Sequence, residues 1–238
     1  MAEKKVVILI VEGVSDERTI SSIRKYVKES FGVHIHLTHG DVFTDTSTRK
    51  GIKAVVGDQV TKVMQQYKYD KKDILSVIHI TDTDGTFIKD DLVIIDENIS
   101  EKKYHIDSIK VPNQQSAVNI KQRNKLKASK IKTMYTATKI LSNTLDYYLL
   151  YFSCNLDHVI HNEMNLDDKE KVPKAREFEK RYKQKPNDFM EFFKDGTFAV
   201  TGSYNETWQF IQKDKNSLER YSNFHLIFNI LDKLTETS

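Results

Sequence analysis

Two short acidic segments hold the side chains best suited to chemistry in this sequence. The first, Val11-Glu12-Gly13-Val14-Ser15-Asp16-Glu17, directly follows a run of apolar, mostly β-branched residues. The second, Thr81-Asp82-Thr83-Asp84-Gly85, follows another such run. In an open parallel sheet, functional groups collect where strands end and helices begin. If the strands leading into these corners are neighbours, several carboxylates share a small volume at the sheet's carboxyl edge. Like charges so placed repel and raise one another's pKa. A hard divalent cation removes that cost, and an oxygen-only ligand set favours magnesium or manganese over zinc. The alternation in Asp82-x-Asp84 lets both side chains reach one ion from a tight turn, while Gly13 and Gly85 permit backbone conformations closed to other residues. In phosphoryl chemistry such an ion stabilises developing charge and activates water. The plain alternative is that these acids are N-caps and that Asp-Gly is a turn former. Two corners on one pattern weigh against it.

The elements that must position these corners follow from hydrophobic period. Lys5 to Val11 reads as a strand buried on both faces. Ser15 and Asp16 can cap a helix whose inner face is Ile20, Ile23, Tyr26 and Val27. Val33 to Thr38 is a second strand, Asp58 to Tyr67 a helix, and Ile74 to Ile80 a third strand. Strand–helix–strand–helix–strand implies parallel pairing with right-handed crossovers. Leu92 to Ile95 reads as a short edge strand, Ser116 to Asn143 as mostly helix, Tyr147 to Ser153 as a buried strand, and Cys154 to His161 as a helix. Helices are expected over Lys174 to Tyr182, Asn187 to Phe193 and Leu218 to Leu234. The expected fold is α/β, a parallel sheet flanked by helices with a helical C-terminal extension. Its parts are a core over 1–110, a basic helix plus strand and helix completing it over 111–165, and a helical region over 166–238.

The pattern strand-Val11-Glu12-Gly13-x-Ser15-Asp16-Glu17, then strand-Asp82-x-Asp84-Gly85, resembles the Toprim domain over roughly residues 4 to 100. That domain occurs in topoisomerases, primases, ribosomal-RNA maturases and nucleases of the overcoming-lysogenisation-defect family. The resemblance implies that Glu12 is a metal ligand or general acid–base, that Asp82 and Asp84 are the metal-binding pair, and that Asp16 is a supporting acid. Tyr151-Phe152-Ser153-Cys154-Asn155-Leu156-Asp157-His158 resembles the Ser-Asn-Pro-x-Phe-Glu segment of small standalone Toprim proteins from bacterial defence loci. Here Cys154 precedes Asn155 and no proline follows, so Asp157 and His158 are second-rank candidates, with Glu17 beside the first corner. The tyrosine-bearing domain of a topoisomerase and the zinc module of a primase are missing. The resemblance therefore implies a magnesium- or manganese-dependent endonuclease acting on RNA (tRNA among the candidates) or DNA, in an anti-phage, abortive-infection role beside an ATPase subunit. A binding or regulatory subunit that keeps the fold without catalysis is the alternative. Nucleotidyl transfer in the manner of a primase uses the same residues but needs nucleotide binding that the sequence does not advertise.

Charge distribution adds a second candidate surface. The chain has 238 residues and a formal net charge of only +3, yet no acid lies between Asp107 and Asp146. Lys121, Arg123, Lys125, Lys127, Lys130 and Lys132 fall in that stretch and can track a phosphate backbone with salt-sensitive affinity; a solvated helix face is the plain reading. His39 sits at the carboxyl end of the second strand as a substrate-side candidate. His34 and His36 lack the cysteines or second cluster that a zinc site needs. Cys154, the single cysteine, excludes a disulfide framework and fits a reducing compartment. It reads as a buried small residue, with His158 and His161 near enough to leave a reactive thiol open. No Gly-rich phosphate loop is present, so intrinsic ATP hydrolysis is not expected. The apolar run Val6 to Val11 is too short to span a bilayer and lacks a cleavage site, which leads us to expect a cytoplasmic protein. A homo-oligomer is left open.

Overall fold

The computed structural model describes residues 5–236; residues 1–4, part of the N-terminal segment read above for a leader, lie outside them. In chain order, β1 (Val6–Val11) leads through α1 (Val14–Thr19) and α2 (Ile23–Phe31) to β2 (His34–His39), and α3 (Ile52–Tyr67) returns to β3 (Ile74–Asp82). Three short strands follow, β4 (Val93–Ile95), β5 (Lys103–Tyr104) and β6 (Ile109–Val111), then the long α4 (Gln114–Tyr135), β7 (Lys139–Ile140) and β8 (Leu145–Phe152). Helices α5 (Leu156–His161), α6 (Asp168–Tyr182), α7 (Pro186–Phe193), α8 (Tyr204–Ile211) and α9 (Leu226–Glu236) complete the chain. No helix among the described residues is long and apolar enough to cross a membrane.

The main sheet has the order β2-β1-β3-β8-β7. Its first four strands are parallel, and β7 pairs antiparallel with β8. β1 is buried at every position. Because successive side chains on a strand point to opposite faces, its residues divide between two cores. Val7, Leu9 and Val11 join α2, α5, α7 and α9 through Val27, Val159, Phe189 and Ile227. Val6, Ile8 and Ile10 join α3, α4 and α8 through Val56, Val60, Ile131 and Trp208. The C-terminal helices thus fill the same cores as the N-terminal strands.

The structure departs from the expectations in identifiable ways. The sheet is mixed, not wholly parallel: Leu141, Ser142 and Asn143 all have positive φ (48°, 58° and 62°) and reverse the chain into β8, so the expected helix to Asn143 stops at Tyr135. Val93–Ile95 is no edge of the main sheet but part of a separate one ordered β4-β6-β5. α3 begins at Ile52 rather than Asp58, since Ile52 and Val56 continue the buried stripe of Val60 and Val63. α6 begins at Asp168, and Pro173 inside it forfeits one i→i−4 bond only. The stretch Leu218 to His225 is not helical; its polar groups are engaged at the ends of β3 and β8, and α9 starts at Leu226. α8 was not foreseen, although Ser203 and Glu206 form a capping box at its start.

Both acidic corners lie at the carboxyl edge, where β1 and β3 are neighbours. The second corner is held from outside the sheet. The carbonyl of Ser217 accepts from the backbone of Gly85 (3.1 Å) and Cys154 (3.0 Å) and from Thr83 Oγ1 (2.8 Å). Gly85 sits at φ +66°, and a Cβ there would stand 2.6 Å from Leu218 Cδ2 and 3.0 Å from Ile109 Cδ1. Gly85→Ala is expected to cost on the order of 2 kcal/mol, from the left-handed backbone and the overpacking together. Denaturant unfolding checks it, and a loss below ~0.5 kcal/mol would mean that the corner relaxes freely.

Candidate active site

The floor of the site is made where β1 and β3 end. Glu12, the first residue after β1, concentrates three donors on Oε1: Thr81 Oγ1 at 2.5 Å, the Asp82 backbone N–H at 3.0 Å and Lys127 Nζ at 3.2 Å. Lys127 Nζ also donates to Asp84 Oδ2 at 2.6 Å. Asp84 Oδ1 accepts from the Tyr104 hydroxyl at 2.7 Å, and Asp84's carbonyl accepts from Arg123 Nη2 at 2.7 Å. Arg123 and Lys127 are one helical turn apart on α4 and so reach the same corner. Asp84 has φ 51°, a left-handed position that Asp tolerates better than most residues. Asp16, in the first turn of α1, accepts from Gly13 N–H at 2.9 Å.

Glu12, Asp16, Asp84 and Tyr104 line a cleft of about 940 Å³ together with Asp82, Asn155 and Asp157. Its rim carries Lys102, Lys103, Lys169 and Lys171 from the small sheet and the start of α6. Glu101, Asp167 and Asp168 lie among these lysines, and Lys103 pairs with Glu101 and Lys171 with Asp168, so the rim carries both signs of charge.

Burial governs the electrostatics. The Lys127 side chain is 0% exposed, those of Glu12 and Asp84 14% and 20%. Burial pushes the Glu12 carboxyl up to about 7; Lys127 opposes the rise, and Asp84 adds to it. Burial likewise raises Asp82 well above the usual carboxylate range, helped by the charges of Glu12, Asp16 and Asp84. Burial would raise Asp84 too, but Lys127 and Arg123 beside it hold it below the ordinary value. Burial, then Asp16 across the cleft, lifts Asp157 to about 6. Perturbed acids converging in a cleft are a recognised sign of function.

The fit of a divalent cation can be weighed on the donors themselves. Glu12, Asp16, Asp82 and Asp84 supply oxygen only, as magnesium or manganese prefers, and they outnumber the cations Lys127 and Arg123 by two charges. No donor among the described residues reaches the Asp82 carboxylate. As they stand, no three His, Cys, Asp or Glu side chains among the described residues are grouped to hold a metal ion: Lys127 occupies the place between Glu12 and Asp84. The chemistry of the donor set fits the ion, and Lys127 already supplies part of the neutralisation.

The sequence candidates do not all meet. Glu12, Asp16, Asp82, Asp84 and Asp157 line the one cleft. Glu17 instead pairs with Arg24 (3.1 Å) and with His39 Nδ1 (3.3 Å), away from it. His158 is buried, and its backbone N–H is capped by Asn155 at 2.8 Å; burial lowers its ring to about 4. Cys154 is buried, and burial holds its thiol well above the usual range, so it is no ready nucleophile.

The basic stretch is divided by the helical period. Arg123 and Lys127 turn inward to the acids. Lys130 donates to the carbonyl oxygens of Val42 (3.3 Å) and Asp45 (2.6 Å), and Lys125 pairs with Asp90 at 2.8 Å. Lys125 and Lys132 line a shallow hollow on the outer face of α4, and Lys121 is half-buried. The expected single strip for phosphate is therefore several surfaces, and Lys127 is sealed from any polymer outside. Lys102, Tyr104 and Asn165 were missed because they lie on a short strand and loops with no periodic signal, and Lys171 because it falls in the first turn of a helix whose start was placed later. Lys127 gave a faint one, standing four residues after Arg123.

Comparison with models of protein families, with curated proteins and with solved structures gives no match for this chain.

The pH dependence of stability follows from Glu12. With a folded value of about 7 and an unfolded value of roughly 4.3, the folded chain keeps a proton that the unfolded chain releases between these limits. Unfolding free energy therefore falls as pH rises through that window and levels above it. Denaturant unfolding at pH 5 and pH 7.5 is expected to show the fall, and Glu12→Gln to shrink it. An equal fall in the variant would show that Glu12 stays ionised throughout.

Proposed function

We propose that this chain is a divalent-metal-dependent nuclease with a Toprim-like core, hydrolysing phosphodiesters of RNA or DNA. The observation that carries the reading is the convergence of Glu12, Asp82 and Asp84 on one cleft floor with an ammonium, Lys127, set between two of them. The order of motifs along the chain and the pairing of β1 with β3 support it. Glu12, Asp82 and Asp84 are the residues that would hold the ion, with Asp16 beside them. Bound there, the ion would polarise the phosphodiester and lower the pKa of attacking water.

The chain's own groups supply the rest. Glu12 has one oxygen saturated with donors and no donor on Oε2 among the described residues, which leaves Oε2 for the ion. Lys127 Nζ is kept charged by Asp84 and Glu12 despite its burial and holds those two carboxylates in position from behind the cleft lining. At the rim Lys102 donates to the Tyr104 hydroxyl at 2.6 Å and Lys171 pairs with Asp168 at 2.8 Å, contacts that a phosphate would have to displace. Action in anti-phage defence beside an ATPase subunit rests on the resemblance to small defence-associated Toprim proteins alone.

A non-catalytic binding subunit is favoured by one observation, that Lys127 already satisfies two of the carboxylates without a metal. Cleavage separates the readings. Labelled single- and double-stranded DNA, RNA and total tRNA are incubated with magnesium or manganese. Wild type is expected to cut at least one of them, and Glu12→Ala and Asp82→Ala to lose on the order of a hundredfold or more. Lys127→Met, close in length and uncharged, is expected to lose activity together with about 3–5 kcal/mol of stability. Absence of cleavage by wild type under all these conditions, with and without an ATPase partner, would leave the binding subunit.

A further inference from the structure

The two walls of the cleft are tied to each other. One wall is β5, the free edge of the small sheet; the other is the loop 162–167 that leads into α6. Asn165 reaches across between them: its Oδ1 accepts the Tyr104 backbone N–H at 2.7 Å, and its Nδ2 donates to the Tyr104 carbonyl at 2.8 Å. Both backbone groups of one edge residue are thus satisfied by a single side-chain amide, as a neighbouring strand would satisfy them. Both ends of this link are anchored. Asn155 Nδ2 donates to the Met164 carbonyl at 2.8 Å and holds the loop to the start of α5. The Tyr104 hydroxyl, at the far end of the same residue, donates to Asp84 Oδ1 at 2.7 Å. A continuous run of contacts therefore passes from α5 through the loop to the small sheet and down to the acidic floor.

While the link is made, it holds the two walls together at this point. The cleft they bound measures about 940 Å³, within the range of small-ligand pockets, roughly 300–1,000 Å³, and suited to a few nucleotides of one strand rather than to a duplex. Asn165 itself is solvent-exposed, so water competes for both bonds and the tie can open at modest cost.

We propose that Asn165 is a clasp that sets the length of nucleic acid the cleft accepts. Closed, the cleft takes the terminal nucleotides of a single strand; open, it takes an internal segment. The proposal rests on the nuclease reading for the identity of the cargo and on the two hydrogen bonds for the clasp.

Two measurements test it on the full chain. The first is hydrogen exchange at the Tyr104 amide, expected to speed up on the order of tenfold or more in Asn165→Ala. The second is binding of a single-stranded trinucleotide and of a circular single-stranded DNA, both with calcium in place of magnesium. The preference for the circle over the trinucleotide is expected to rise on the order of tenfold in Asn165→Ala. Asn165→Asp keeps the acceptor for the amide but loses the donor to the carbonyl, and is expected to fall between. Equal exchange in wild type and Asn165→Ala, or an unchanged preference, overturns the clasp. Faster exchange with no binding of either nucleic acid overturns the length selection and counts against the nuclease reading. Cleavage by wild type with an unchanged preference leaves the nuclease standing and removes only the clasp.

Discussion

The salt-bridged trio of Glu12, Lys127 and Asp84 is the constraint around which the rest of the molecule is organised. A buried ammonium without partners is costly, and so is a pair of carboxylates at close quarters. Each cost is met here by the other: Lys127 stands 3.2 Å from Glu12 and 2.6 Å from Asp84. Such an arrangement contributes little net stability over an apolar filling of the same space, but losing one partner leaves charge stranded, typically at about 3–5 kcal/mol. The trio therefore fixes the register of α4 against the sheet more than it strengthens the fold. Arg123, one turn earlier, reads the carbonyl of Asp84 and the Tyr104 hydroxyl, so α4 grips the corner at two heights.

Around that centre the fold works as a frame with two sides. β1 sends alternate residues into two cores, each closed by helices from the second half of the chain. Phe178, Phe189 and Phe193 pack edge to face on one side, with Phe224 edge-on to Phe189 and tilted against Phe193. On the other side Trp208 stacks on Tyr135 and donates to the Leu149 carbonyl at 3.0 Å. The small sheet and the loop before α6 are lighter additions on the carboxyl edge. They carry part of the polar lining of the cleft without belonging to either large core.

What could be read from the sequence was what burial and local chemistry write there plainly. The strands around Val6 to Val11 and Ile74 to Ile80 are continuous apolar runs, and the acids after them stand where strand ends put them. The joining of Glu12, Asp82 and Asp84 in one cleft followed from strand adjacency alone. Lys127 was read as one lysine among six on a charged stretch, because its pairing with acids 115 and 43 residues away leaves no trace in local period. Tyr104 and Asn165 were out of reach for the same reason, 61 residues apart on a two-residue strand and a loop. The stretch Leu218 to His225 looked helical by its apolar spacing, yet Ser217, Ser222 and Asn223 are drawn to the ends of β3 and β8. Tertiary hydrogen bonding overrode local preference there.

The Ser217 carbonyl has a consequence in time. It gathers donors from Thr83, Gly85 and Cys154, the first of them 134 residues earlier in the chain. Pairings of such long separation form late in folding, after the ordering of the loops between them. On the ribosome the strands and α4 emerge well before Ser217 does. A nascent chain thus carries every acid of the cleft but not the peptide group that holds the second corner in shape.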